Sequence, residues 1–75
     1  MTYEINVTRA GEYLYGVVVI VKDDTGVERL RGETSVCGEH EQEAFDYAEQ
    51  IFLPDLRRNF PREIGGLVFP WEEGS

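Results

Sequence analysis

The sequence holds a single cysteine, Cys37, a single histidine, His40, and a single lysine, Lys22, among 75 residues. One cysteine can form no internal disulfide, which removes the bridge-stapled secreted mini-proteins from consideration. One Cys and one His also fall short of the four ligands of a structural zinc site, so no metal is expected. No apolar run approaches the roughly twenty residues that a membrane span requires. The opening Met1-Thr2-Tyr3-Glu4 carries neither the basic nor the apolar segment of a secretory leader. These absences predict one small domain over residues 1–75, in a reducing cytoplasm, without membrane contact or cofactor.

Cations are scarce as well. Seven Lys and Arg face fifteen Asp and Glu, a net charge of -8 and a pI near 4.4. A phosphate backbone must be met by clustered cations. The chain offers Arg57, Arg58 and Arg62 together, with Arg29 and Arg31 on one strand, and acids sit close to all of them, so direct nucleic-acid binding is not expected. Catalytic signatures are missing too. There is no glycine-rich phosphate loop, nucleophile elbow or paired catalytic carboxylate. Cys37 and His40 are the only nucleophile and imidazole close in sequence, and no third group orients them. If Asp23-Asp24-Thr25-Gly26 belonged to a calcium loop with Gly26 sixth, Val21 would stand first, where Asp is needed. No enzyme is predicted. Asn6-Val7-Thr8 matches a glycosylation sequon and reads as an ordinary strand tripeptide without a secretory route.

What is present is enough to fold: 41% hydrophobic residues and 12% aromatics argue against disorder. Tyr3, Ile5 and Val7 alternate with polar residues in the period of a half-buried strand. Tyr13 to Val21 is β-branched and aromatic, interrupted only by Gly16. Lys22 to Gly26 has the residue types of a hairpin turn. Val27 to Val36 then sets Leu30, Gly32, Thr34 and Val36 on one face and Arg29, Arg31, Glu33 and Ser35 on the other. After Gly38 the period changes, and Ala44, Phe45, Ala48, Ile51 and Phe52 form a helical stripe. Pro54 should break that helix, leaving a short piece from Asp55 to Phe60. Leu67 to Trp71 follows the Gly65-Gly66 joint. It should pack back on the body, with room for a short fourth strand ended by Pro70. The expected fold is α+β: a three-stranded antiparallel meander packed against one main α-helix, in β-β-β-α order.

From Glu39 to Leu53 the chain carries Glu39, Glu41, Glu43, Asp46 and Glu49 and no Lys or Arg. Exposed helices usually interleave both signs for i,i+4 pairing, so a block of one sign points beyond solubility. Glu39, Glu43, Asp46 and Glu49 are the carboxylates expected to face away from the apolar stripe and to meet a basic groove on a partner protein. A second surface comes from the central strand, which is apolar on both faces: Leu14, Val18 and Ile20 on one, Tyr13, Tyr15, Val17, Val19 and Val21 on the other. One helix covers one face. Tyr13, Tyr15, Val17, Val19 and Val21 are therefore expected to be covered by the Leu67 to Trp71 tail or by a second copy in a homodimer, or else Tyr13, Tyr15, Val17 and Val19, with Trp71, form a docking surface on which the tyrosines and Trp71 anchor a partner.

In size, acidity and α+β plan the chain resembles the inhibitors that phages and mobile elements encode against host nucleases, anti-CRISPR proteins among them. The resemblance lies in gross properties, so it implies a class of function and no residue roles. It implies a non-enzymatic inhibitor that occupies the basic, nucleic-acid-binding surface of a partner such as a nuclease complex. The alternative is an assembly module that dimerises through its sheet and is acidic only for solubility.

Overall fold

The computed structural model describes residues 1–73. Strands β1 (Thr2–Arg9), β2 (Leu14–Lys22) and β3 (Glu28–Cys37) form an antiparallel meander in the order β1-β2-β3. Asp23 explains the tight second turn. Its carboxylate accepts the hydroxyl and amide of Thr25 and the amide of Val27, while Gly26 takes a left-handed φ of 87° that a side chain would resist. The Thr25 hydroxyl and then the Val27 amide hold the Asp23 carboxyl below its ordinary range. The β2–β3 register slips between Val21 and Lys22, where Arg29 is left over. That bulge lets Leu30, Gly32, Thr34 and Val36 share the inner face with Tyr15, Val17, Val19 and Val21.

The helical region begins at α1 (Glu41–Tyr47) and continues through a π segment (Ala48–Phe52) into α2 (Leu53–Asn59). The expected break at Pro54 does not occur. Tyr47, Ala48, Phe52 and Leu53 all keep right-handed helical angles, and the Leu53 amide reaches back to the Ala48 carbonyl. Proline has no N–H and its ring crowds the carbonyl four residues earlier. A wider turn just before it relieves both problems without ending the helix. The same extra residue rotates the apolar stripe. Ala44, Ala48 and Leu53 are fully buried, Phe52 and Leu56 pack on the core, and Ile51, expected inside, is 50% exposed.

The chain then turns at Phe60 into α3 (Pro61–Ile64), and α4 (Pro70–Glu73) follows. Between them Leu67 and Phe69 are buried and Val68 is exposed, the alternation of a strand. No fourth strand joins the sheet among the described residues, however, because other groups take the backbone bonds. The Arg57 guanidinium donates to the Leu67 carbonyl at 2.9 Å, and the Phe69 amide donates to Glu72 at 3.0 Å. Arg57 and Glu72 close the clasp with two parallel bonds of 2.6 and 3.1 Å. The Arg57 guanidinium sits over the Phe69 ring, 4.7 Å from its centroid, and the Trp71 ring stacks on Phe69 with centroids 4.7 Å apart. Tyr3 meets it edge-on at 5.9 Å.

Helix and tail therefore share one face of the sheet. The core joins Tyr15, Val17, Val19 and Val21 to Ala44, Ala48, Leu53, Ile64, Leu67 and Phe69. The face that stays open is the other one, centred on Leu14, Val18 and Ile20. There the register sets Ile20 between Glu4 and Arg31, Val18 between Asn6 and Glu33, and Gly16 between Thr8 and Ser35. Polar neighbours on both flanks leave Val18 and Ile20 only partly exposed, so this face is less sticky than the apolar content of β2 alone implies.

Candidate functional site

The acidic block divides into carboxylates with internal work and carboxylates without it. Glu43 caps its own helix. Its Oε2 accepts the backbone amides of Glu39 at 2.7 Å and His40 at 3.1 Å, satisfying N–H groups that precede the first turn. The His40 amide and then the Glu39 amide hold the Glu43 carboxyl below its ordinary range. Glu49 is half-buried and accepts the Tyr3 hydroxyl at 2.9 Å. Burial, followed by the bond to Glu49 and its negative charge, pushes the Tyr3 phenol up to about 12. Glu39 lies in the bend before α1, exposed, and Asp46 is exposed, with the Gln42 side-chain amide its one hydrogen-bond partner among the described residues. The set most open to a partner is thus Glu39, Glu41 and Asp46 rather than the four carboxylates singled out from spacing.

Of the ten acids elsewhere, six are compensated, and Glu12, Glu33, Glu63 and Glu73 form no ion pair among the described residues. Glu4, Asp23, Asp24, Glu28, Asp55 and Glu72 form ion pairs of 2.6–3.9 Å with Lys22, Arg29, the Met1 amine, Arg31, Arg58 and Arg57. None of Glu39, Glu41, Glu43, Asp46 and Glu49 has a cationic partner among the described residues. The first half of the helical region therefore projects its charge outward, where solvent-exposed carboxylates raise the local negative potential.

Beside this block runs a groove between β1 and α1, about 380 Å³ in volume, lined by Ile5, Val7 and Phe45 with Glu41 and Gln42 at its rim. All three apolar residues are half-buried, so the groove is a seam the core does not fill. Its β1 wall is an open sheet edge.

The apolar docking face inferred from Tyr13, Tyr15, Val17, Val19 and Trp71 does not exist as one surface. Tyr15, Val17 and Val19 are core residues beneath the helix and tail, with 7% or less of their surface exposed, and no partner can reach them. Tyr13, at the loop before β2, and Trp71, in α4, remain about half exposed. Trp71 serves the tail by stacking on Phe69. Cys37 is exposed at the end of β3 and His40 stands before α1; no hydrogen bond joins them among the described residues. No group of three or more metal-ligating side chains gathers, and no helix is long and apolar enough to cross a membrane, among the described residues. The chain matches no protein-family model, no curated protein and no solved structure.

Proposed function

We propose that the chain is a non-enzymatic binding protein that docks its acidic block on a basic, nucleic-acid-binding surface of a partner protein and competes with nucleic acid for that surface. The observation that carries this reading is the charge distribution: six of the ten acids outside the block are in ion pairs, while none of the five concentrated inside it has a cationic partner among the described residues. Complementary charge raises association rates more than it deepens affinity, which suits an inhibitor that must reach its target before a polyanion does. The competing reading is a homodimer through the open sheet face. It would bury Glu4, Asn6, Arg31 and Glu33 along with Val18 and Ile20, and bring together two chains of net charge -8, both unfavourable.

Capture of proteins from a lysate at low and high salt, followed by competition of each captured partner with nucleic acid, tests the proposal. It requires a basic partner that is released by salt and whose nucleic acid is displaced by the chain. Captured partners that retain their nucleic acid in the ternary complex would refute it.

A further inference from the structure

Both edges of the sheet are open, but they are not equivalent. β3 carries the Arg29 bulge and the charged Arg31 and Glu33, features that discourage another strand from pairing. β1 pairs with β2 over eight consecutive residues without a register shift and contains neither Pro nor Lys. Which of its backbone groups are free follows from the turn. The Ala10 amide donates to the Leu14 carbonyl at 2.8 Å. Combined with the Thr8–Gly16 register, this puts the hydrogen-bonded pairs at the even-numbered residues of β1. The Gly38 amide on the Tyr13 carbonyl places the odd residues of β2 toward β3, as that alternation requires. The N–H and C=O groups of Tyr3, Ile5, Val7 and Arg9 therefore point out of the sheet.

Ile5 and Val7 thus combine two features: their backbone groups face the open edge, and their side chains line the groove against Phe45. We propose that β1 is a docking edge for an extended partner segment with an apolar centre and basic flanks that adds to the sheet as a fourth strand. Backbone bonds to Ile5 and Val7 would hold the segment. Its central apolar side chains on the helix side of the sheet would fill the seam against Phe45, and its flanking cations on that same side would meet Glu41, which lines the same groove, and its neighbours in the acidic block. Charge selects this occupant over a second copy of the chain, which would bring a second net charge of -8 to the same rim. The charge preference rests on the proposed function; the position of the edge does not.

Amide hydrogen exchange of the full chain tests the inference, with a synthetic peptide of central Val residues between Arg flanks as probe (the Arg–Val peptide) and one of central Val residues between Glu flanks as control (the Glu–Val peptide). In the free chain the Ile5 and Val7 amides exchange fast, and those of Glu4, Asn6 and Thr8, bonded to β2, exchange slowly. The Arg–Val peptide is expected to slow Ile5 and Val7 by about tenfold or more, and the Glu–Val peptide to leave them unchanged. Val7→Pro removes an N–H that serves no internal ladder bond, so it should weaken the Arg–Val peptide by about tenfold, one lost hydrogen bond's worth of affinity. Binding of the Arg–Val peptide without protection of Ile5 and Val7 would overturn the strand addition and leave the proposed function standing. Equal protection by both peptides would overturn the basic occupant. Slow exchange at Ile5 and Val7 that grows with protein concentration in the absence of peptide would make a second copy the occupant and overturn the proposal, as would failure of the Arg–Val peptide to bind.

Discussion

Replacing Phe69 with alanine tests whether the tail is part of the core or an appendage to it. Phe69 is the largest fully buried side chain, 1% exposed, whereas its neighbour Val68 is 50% exposed. Truncating a buried Phe to Ala costs about 3–5 kcal/mol in lost burial and residual cavity. That range already contains the edge-on contact with Tyr3 and the stack with Trp71, pairs worth about 0.5–1.5 kcal/mol each. A chain of this length holds only about 4–11 kcal/mol in total, from the usual per-residue range, so the substitution removes about a quarter or more of its stability. At about 4–8 °C per kcal/mol for a domain of this size, the melting temperature should fall by at least about 12 °C. Urea unfolding is best followed by the fluorescence of the single tryptophan, Trp71, in the tail, and by circular dichroism, which reports sheet and helix. In the unsubstituted chain the two curves should coincide, as for a single cooperative unit. In Phe69→Ala both should shift together, or the fluorescence should change first if the tail lets go. Val68→Ala, as control, should stay within about 0.5 kcal/mol. A loss below about 1 kcal/mol for Phe69→Ala, or equal losses for the two variants, would refute the account of the core.

Gly32→Ala should destabilise by about 1–3 kcal/mol through overpacking, because an added Cβ would lie 2.8 Å from Leu56 Cδ1 and 3.1 Å from Phe52 Cζ; chemical denaturation reads this directly. Tyr3 gives a base-side prediction. Its folded pKa, about 12, lies above the ordinary 10.0, so its contribution is complete below pH 10 and is lost as pH rises toward 12. Denaturation across that window should show the loss, and Tyr3→Phe should diminish it. On the acid side the Glu43 carboxyl lies below its ordinary 4.5, so its contribution is present above that pH and is lost as pH falls. Glu43→Gln should flatten this part of the acid profile and lower helix content at neutral pH, read by circular dichroism.

The strands were legible because side-chain alternation and turn chemistry are local. Tyr3, Ile5 and Val7 announce β1, and Asp23 with Gly26 announces the hairpin. The helix was legible in its existence and its start but not in its phase. Pro54 reads as a breaker, and nothing in residue spacing shows that a π turn absorbs it and turns Ile51 outward. The tail misled for a related reason. Leu67, Val68 and Phe69 alternate as a strand does, but their backbone partners are Arg57 and Glu72, side chains whose approach depends on the tertiary fold. In the acidic block, the spacing from His40 to Glu43 is that of a capping box, disguised because His stands where Ser or Thr is usual. The bond from Tyr3 to Glu49 joins residues far apart in sequence, and no local pattern could have separated Glu49 from the solvent-facing carboxylates.

That separation determines the variant with which to test the acidic block. Glu43 and Glu49 support the fold, so Glu39→Gln, Glu41→Gln and Asp46→Asn should be combined while both are left intact. The most direct measurement is the association rate of this triple variant and of the unsubstituted chain with a captured basic partner, across a salt series. Steering by the block predicts that the unsubstituted chain associates about tenfold or more faster at low salt, and that the two rates converge as salt screens the charges. Equal rates at low salt, with no dependence on ionic strength, would contradict the claim that the acidic block is the binding surface.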